Sequence, residues 1–328
     1  MSAEIETKMG GMKDKLDEVV TKIRVKIDVE REKKTQQYLK FLTNKAHLLI
    51  EFDDKNEAES KKYLEQALEK LKAGWSVVIP LVPHKGTMDS LVLYWVINQF
   101  FQDFAFALIS SIKFELPFRH CRADITEDMG SVTKGGIVEF FVRTLFKLDP
   151  RSIRYAVIQL YLINSLKNQI NQDKAKQFNR KQMTQLVKAI VQGSLVVGFM
   201  PEATRDKEGK GLQRAAPGCF KIAKPNKTLI LPLIVSTTDY KPDEKLLTET
   251  SQSTTQFSLT KPITWSDAQK QVGLYRFTNE VSFYNTDRNP VSPGEKLKED
   301  DIIMWWIAQN MPNMERGVYQ DKCIEEIK

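Results

Sequence analysis

The sequence predicts an α/β fold: a mostly parallel central sheet flanked by helices, with an N-terminal helical extension. Three observations predict it. From Trp75 onward, short β-rich runs alternate with stretches of helical periodicity, the pattern of a layered fold with a largely parallel sheet. Two of the runs, 104–110 and 155–164, read as buried strands. Before Trp75 the chain is charged and helix-prone. The expected division is therefore a helical region over 1–74 and an α/β domain over 75–328.

In the N-terminal region, Tyr63, Leu64, Ala67, Leu68 and Leu71 recur at spacings of three and four, which places them on one helix face. Gly74 is the expected C-terminal stop. The run 76–82 (SVVIPLV) predicts a strand and 89–101 a helix. A strand over 104–110, a helix over 135–148 and a strand over 155–164 follow. An amphipathic helix over 180–193 leads into a strand over 195–200. A short helix over 217–224 precedes a strand over 228–236. The stretch 241–272, rich in Lys, Thr, Ser and Gln, reads as loop. Alternation over 277–285 predicts a strand. A closing helix spans 299–311, with acidic residues in its first turn where the helix dipole favours them.

The longest apolar stretch, 90–112, is interrupted by Asn98, Gln99, Gln102 and Asp103. A spanning helix needs roughly 20 largely apolar residues, so this stretch is expected to be a buried helix and strand. The first residues, MSAEIETKMGGMKDKLDE, lack the apolar centre of a signal peptide. Loss of an organelle-targeting segment upstream stays open. Cys121, Cys219 and Cys323 are far apart and odd in number, which argues against a disulfide framework or a zinc site and fits a reducing, cytoplasmic setting.

Of the 328 residues, 41% are apolar and 28% charged, with a formal net charge of +7. That excess suits an anionic partner: nucleic acid, an acidic membrane surface or a phosphorylated metabolite. A well-solvated surface accounts for it equally.

Three histidines occur, His47, His84 and His120. His84 stands at the end of the run 76–82, in VPHKGTMDS, and Asp89 opens the next helix. The C-terminal edge of a sheet strand is the usual functional edge of an α/β fold. A strand–turn–helix path can return the Asp89 carboxylate to the His84 imidazole, leaving the other ring nitrogen as a base. The plainer alternative is that Thr87 or Asp89 caps the helix and His84 packs. A second strand end carries PEATR, with Glu202, Thr204 and Arg205, followed by Lys207, Lys210 and Arg214. Arginine binds phosphate oxygens as a fork, so this loop is a candidate phosphate site; a solvated charged loop is the alternative. Trp305 and Trp306 fit core packing better than insertion into a lipid headgroup layer. No G-x-S-x-G elbow, Walker A loop or G-x-G-x-x-G fingerprint is present.

Taken in order, HKGTMD (84–89), MPEATR (200–205) and LPLIV (231–235) resemble the motifs of the glycerol-3-phosphate and lysophosphatidate acyltransferase superfamily, over about residues 75–290. Met200 stands where the family has Phe, Ala203 where it has Gly, and Pro83 where many members have Asn. For the family's middle basic motif, Lys113 in IKFELPF is the first candidate, with Arg143 and Lys167 behind it.

The resemblance implies transfer of a fatty acyl group from acyl-CoA or acyl carrier protein to glycerol-3-phosphate. His84 would be the general base and Asp89 would orient it. Arg205, Thr204 and Lys113 would bind substrate, and Glu202 would contact the acceptor or fix Arg205. No cofactor, metal or nucleic acid is implied, and peripheral contact with an anionic membrane is compatible. A lysophospholipid acceptor is the alternative within the same chemistry. A non-catalytic lipid-binding protein on the same fold is the alternative outside it.

Overall fold

The computed structural model describes residues 48–84, 89–111, 155–160, 169–202, 211–237, 253–279, 292–312 and 315–327. The chain divides into two units, Met1–Leu48 and Leu49–Lys328, and the architecture below is that of the second. In chain order, its first elements are β1 (Leu48–Phe52), α1 (Glu57–Lys72), β2 (Ser76–Val82), α2 (Asp89–Phe100), β3 (Ala105–Ser111), β4 (Tyr155–Leu160) and α3 (Gln169–Gln192). Next come β5 (Leu195–Phe199), a 3-10 turn (Cys219–Ala223), β6 (Thr228–Ile230), β7 (Leu233–Thr237) and β8 (Ser253–Leu259). The last are α4 (Trp265–Gln271), β9 (Tyr275–Phe277), α5 (Glu299–Ala308) and β10 (Ile324–Glu326).

The main sheet has the order β1-β8-β7-β2-β5-β3-β4, with β6 also paired to β2. Strand β2 is parallel to β5, β6 and β7, and β3 is parallel to β4 and β5. Strand β8 is antiparallel to β7. The mostly parallel α/β sheet expected from the alternating pattern is therefore present.

Helices cover both faces. All seven residues of β2 are buried, and successive side chains point to opposite faces. Val78, Val82, Val197 and Phe199 join a core that includes Leu186 and Ile190 of α3 and Ile303 and Ile307 of α5. On the opposite face, Gly198 lies under α2. A Cβ at Gly198 would sit 2.7 Å from Ile97 Cδ1 and 2.8 Å from Leu108 Cδ2. The absent side chain is what lets α2 approach β5. Among the described residues no helix is long and apolar enough to cross a membrane.

Several sequence expectations need correction. Residues 48–52 form a strand inside a region expected to be helical. Helix α1 is where its periodicity put it, with Gly74 at φ +80° just past its end. It belongs, however, with the sheet: Ser60 Oγ accepts the Leu259 N–H at 3.0 Å. The two units meet at Leu48. The stretch 241–272, expected to be loop, contains β8 and α4. The apolar teeth of β8, Phe257 and Leu259, are buried, and the Ser, Thr and Gln residues before Phe257, with Ser258 after it, masked the strand. Helix α4 is short and begins at a Thr264 cap, whose Oγ1 accepts the Asp267 N–H.

The strand expected over 228–236 is two, β6 and β7, parted at Leu231–Pro232. Pro232 has no N–H to give a ladder, while the Leu231 N–H still reaches the Val78 carbonyl at 2.8 Å. Helix α3 starts at Gln169, ahead of the expected 180. The short helix near 217–224 is a 3-10 turn. The expected strand over 277–285 overlaps β9 at Phe277 alone among the described residues. The helix expected over 135–148 and the end of the run 155–164 lie outside the described residues.

Candidate active site

The parallel register brings two chain segments out of the sheet side by side. Pro80 of β2 pairs with Phe199 of β5. Four residues beyond Pro80 stands His84, and three beyond Phe199 stands Glu202. Both are therefore delivered to the C-terminal edge of adjacent central strands, where open α/β sheets place their ligands. His84 is 6% exposed, Asp89 4% and Glu202 0%. Three buried titratable side chains at one strand edge are a concentration of polar groups that burial penalises unless they bond to one another or to the backbone.

They do bond. His84 Nδ1 lies 2.8 Å from Asp89 Oδ2. A carboxylate only accepts, so Nδ1 carries the proton and donates it, leaving Nε2 as the basic nitrogen. Asp89 is the first residue of α2, where the helix dipole favours a negative charge. The return of the Asp89 carboxylate to the His84 imidazole, inferred from the spacing, is thus realised as a hydrogen bond.

Glu202 is used in a way the sequence did not foretell. Its Oε2 accepts the backbone N–H of His84 at 2.6 Å, and its Oε1 accepts the backbone N–H of Gln213 at 2.7 Å. One carboxylate therefore joins the loop after β2 to the segment that begins at Gly211. That segment is held in turn by residues near the C-terminal end of the sequence. The Leu212 N–H donates to the Glu315 carbonyl at 2.8 Å, and the Val318 N–H donates to the Leu212 carbonyl at 3.1 Å. Gly211 and Gly317 make this approach possible. A Cβ on Gly211 would come within 2.6 Å of the Glu315 carbonyl oxygen, and one on Gly317 within 2.0 Å of the Leu212 carbonyl oxygen.

Arg214 requires a correction. The sequence placed it among cations available to a phosphate. Instead its Nε donates to Asp301 Oδ1 at 2.6 Å and its Nη2 to Asp301 Oδ2 at 2.7 Å, with Glu295 at 3.3 Å. Tyr319 OH donates to the same Asp301 at 3.2 Å. Burial opposes the charge on Arg214, but the hydrogen bond to Asp301 and the surrounding negative charges raise its pKa above the ordinary range. Arg214 is thereby a tie between the site segment and α5. Nearby, the Asp300 carboxylate accepts the N–H groups of Gly218 and Phe220. Burial raises its pKa, and those two hydrogen bonds oppose the rise.

Arg205, Thr204 and Lys113 lie outside the described residues, as do Ala203, Lys207, Lys210, Arg143 and Lys167. Trp305 packs on Tyr275 with ring centroids 4.4 Å apart, and Trp306 Nε1 donates to the Lys261 carbonyl. Both tryptophans pack against the core, in line with the packing reading. Among the described residues no group of three His, Cys, Asp or Glu side chains is arranged to hold a metal.

No protein-family model matches the chain, and no curated protein matches it either.

Proposed function

We propose that this chain is an acyltransferase, moving a fatty acyl group from an acyl thioester to the hydroxyl of glycerol-3-phosphate. One observation carries the reading: a buried imidazole at a central strand end, hydrogen-bonded through Nδ1 to a buried carboxylate at 2.8 Å. That arrangement makes Nε2 a base and stabilises the imidazolium that forms when it accepts a proton. The order of HKGTMD, MPEATR and LPLIV along the chain supplies the substrate class by resemblance.

The reaction balances without a covalent intermediate on the protein. Nε2 takes the proton of the acceptor hydroxyl as its oxygen attacks the thioester carbonyl carbon. The new C–O bond forms, the tetrahedral centre collapses, and the C–S bond breaks. The imidazolium returns its proton to the departing thiolate, which leaves as a thiol. Asp89 keeps the ring oriented through both steps. In this reading Arg205 holds the acceptor phosphate, and Thr204 and Lys113 belong to the substrate-binding set. The net charge of +7 suits peripheral contact of a cytoplasmic enzyme with an anionic membrane, where the lipid product belongs.

A thiol-release assay tests the proposal. Palmitoyl-CoA and palmitoyl-acyl carrier protein are each paired with glycerol-3-phosphate and with lysophosphatidate. Acceptor-dependent thiol release with glycerol-3-phosphate is expected. Release with lysophosphatidate alone would move the acceptor, and none with any pair would leave the acyltransferase reading without support.

A further inference from the structure

Glu202 presents a carboxylate with no exposed surface, and its two oxygens receive N–H groups from different chain segments. A buried carboxylate is costly, and charge-assisted hydrogen bonds from backbone N–H groups are what offset that cost. The two bonds have different partners with different consequences. The His84 N–H belongs to the residue whose imidazole meets Asp89. The Gln213 N–H belongs to a segment fixed by Glu315 and Val318. The carboxylate therefore ties the backbone of His84 to a segment that is itself pinned on its far side.

We infer that Glu202 is a positioning residue, clamping the His84 backbone so that its ring meets Asp89 on one side and offers Nε2 on the other. This rests on the acyl-transfer reading for its kinetic consequence but not for its structural one. The imidazole orientation follows from the backbone at His84 and from Asp89 together. Loss of either support frees one end of the base. A misplacement of about 1 Å at a reacting group costs on the order of 100-fold in rate. A clamp acts on the catalytic step, so its loss lowers kcat and leaves the acceptor KM in place. A residue that contacts the acceptor would raise KM.

The test is Glu202→Gln in the full chain, with Glu202→Asp as a second variant that keeps the charge but shortens the reach. In glutamine one carboxylate oxygen becomes an NH2 group, which cannot accept an N–H. Amide hydrogen exchange is read residue by residue, and kinetics are run with palmitoyl-CoA and glycerol-3-phosphate. Accelerated exchange at His84 or Gln213, with the amides of β2 and β5 unchanged, is expected in at least one variant. A kcat lower by about 100-fold at unchanged acceptor KM should accompany it.

Local exchange changes in a protein whose wild type releases no thiol would uphold the clamp and remove the acyl-transfer reading. Unchanged exchange at both amides, or acceleration spread evenly through β2 and β5, would overturn the clamp. So would a raised acceptor KM at full kcat.

Discussion

The Arg214 guanidinium grips the Asp301 carboxylate edge to edge, with Nε on Oδ1 at 2.6 Å and Nη2 on Oδ2 at 2.7 Å. The pair fastens the segment after Gly211 to α5. Asp301 is 1% exposed, so its removal strands a guanidinium in a largely buried position. Breaking a buried pair from one side costs about 3–5 kcal/mol. Asp301→Ala should therefore lower the unfolding midpoint sharply in a urea titration. A shift within the error of the wild type would show that the pair is as dispensable as a surface ion pair.

Tyr319 predicts a pH effect. Burial first, then the charge of Asp301, raises the phenol well above its ordinary value. A raised folded-state pKa means that the contribution is complete below the unfolded value and lost as pH climbs through the folded one. The decline begins near pH 10, where an unfolded tyrosine starts to ionise. Tyr319→Phe should lose about 1 kcal/mol at neutral pH through the missing hydrogen bond. It should then fall less steeply than the wild type between neutral and strongly alkaline pH. Chemical denaturation at the two pH values measures this, and parallel declines would refute it.

On the proposed function, His84→Ala should lower the rate of acyl transfer by about 100- to 10,000-fold, the usual contribution of a general base. Asp89→Asn should lose most of the activity too, because an amide cannot stabilise an imidazolium as a carboxylate does. Circular dichroism establishes that each variant is folded before its turnover is measured. Near-wild-type turnover in folded His84→Ala would end the general-base assignment.

Gly317 has φ +51°, and an added Cβ would fall 2.0 Å from the Leu212 carbonyl oxygen. Overpacking of this kind costs typically about 1–3 kcal/mol. Gly317→Ala should part Val318 from Leu212 and loosen Gln213, with a fall in thermal midpoint. Faster exchange of the Gln213 amide should accompany it. An unaltered midpoint would mean that the two segments separate at no cost.

The alternating core of the fold was legible because it rests on local pattern. Val77–Leu81 and Leu195–Phe199 announce strands by composition, and the His84–Asp89 hydrogen bond joins residues only five positions apart, a separation that spacing can describe. What escaped depends on distant partners. Strand β8 carries its apolar residues at Phe257 and Leu259 between polar ones, and only pairing with β7 makes that pattern a strand. Arg214 resembled a phosphate ligand because Asp301 is 87 positions away. The backbone N–H groups that Glu202 accepts could not be foreseen, one of them being 118 positions away, because backbone groups leave no mark on a sequence.

The tie between His84 and Glu202 also orders events in time. On the ribosome the histidine is made long before the glutamate, and the glutamate before residues 315–318 that fix its second partner. At about 5–20 residues per second, the nascent chain spends several seconds with β2 synthesised and none of its sheet neighbours available. The His84 backbone cannot be clamped by Glu202 during that interval. The chain meanwhile carries an unpaired apolar strand that a chaperone would recognise. On the proposed acyl-transfer reading, activity would arrive late in synthesis, and a partly made chain should transfer nothing.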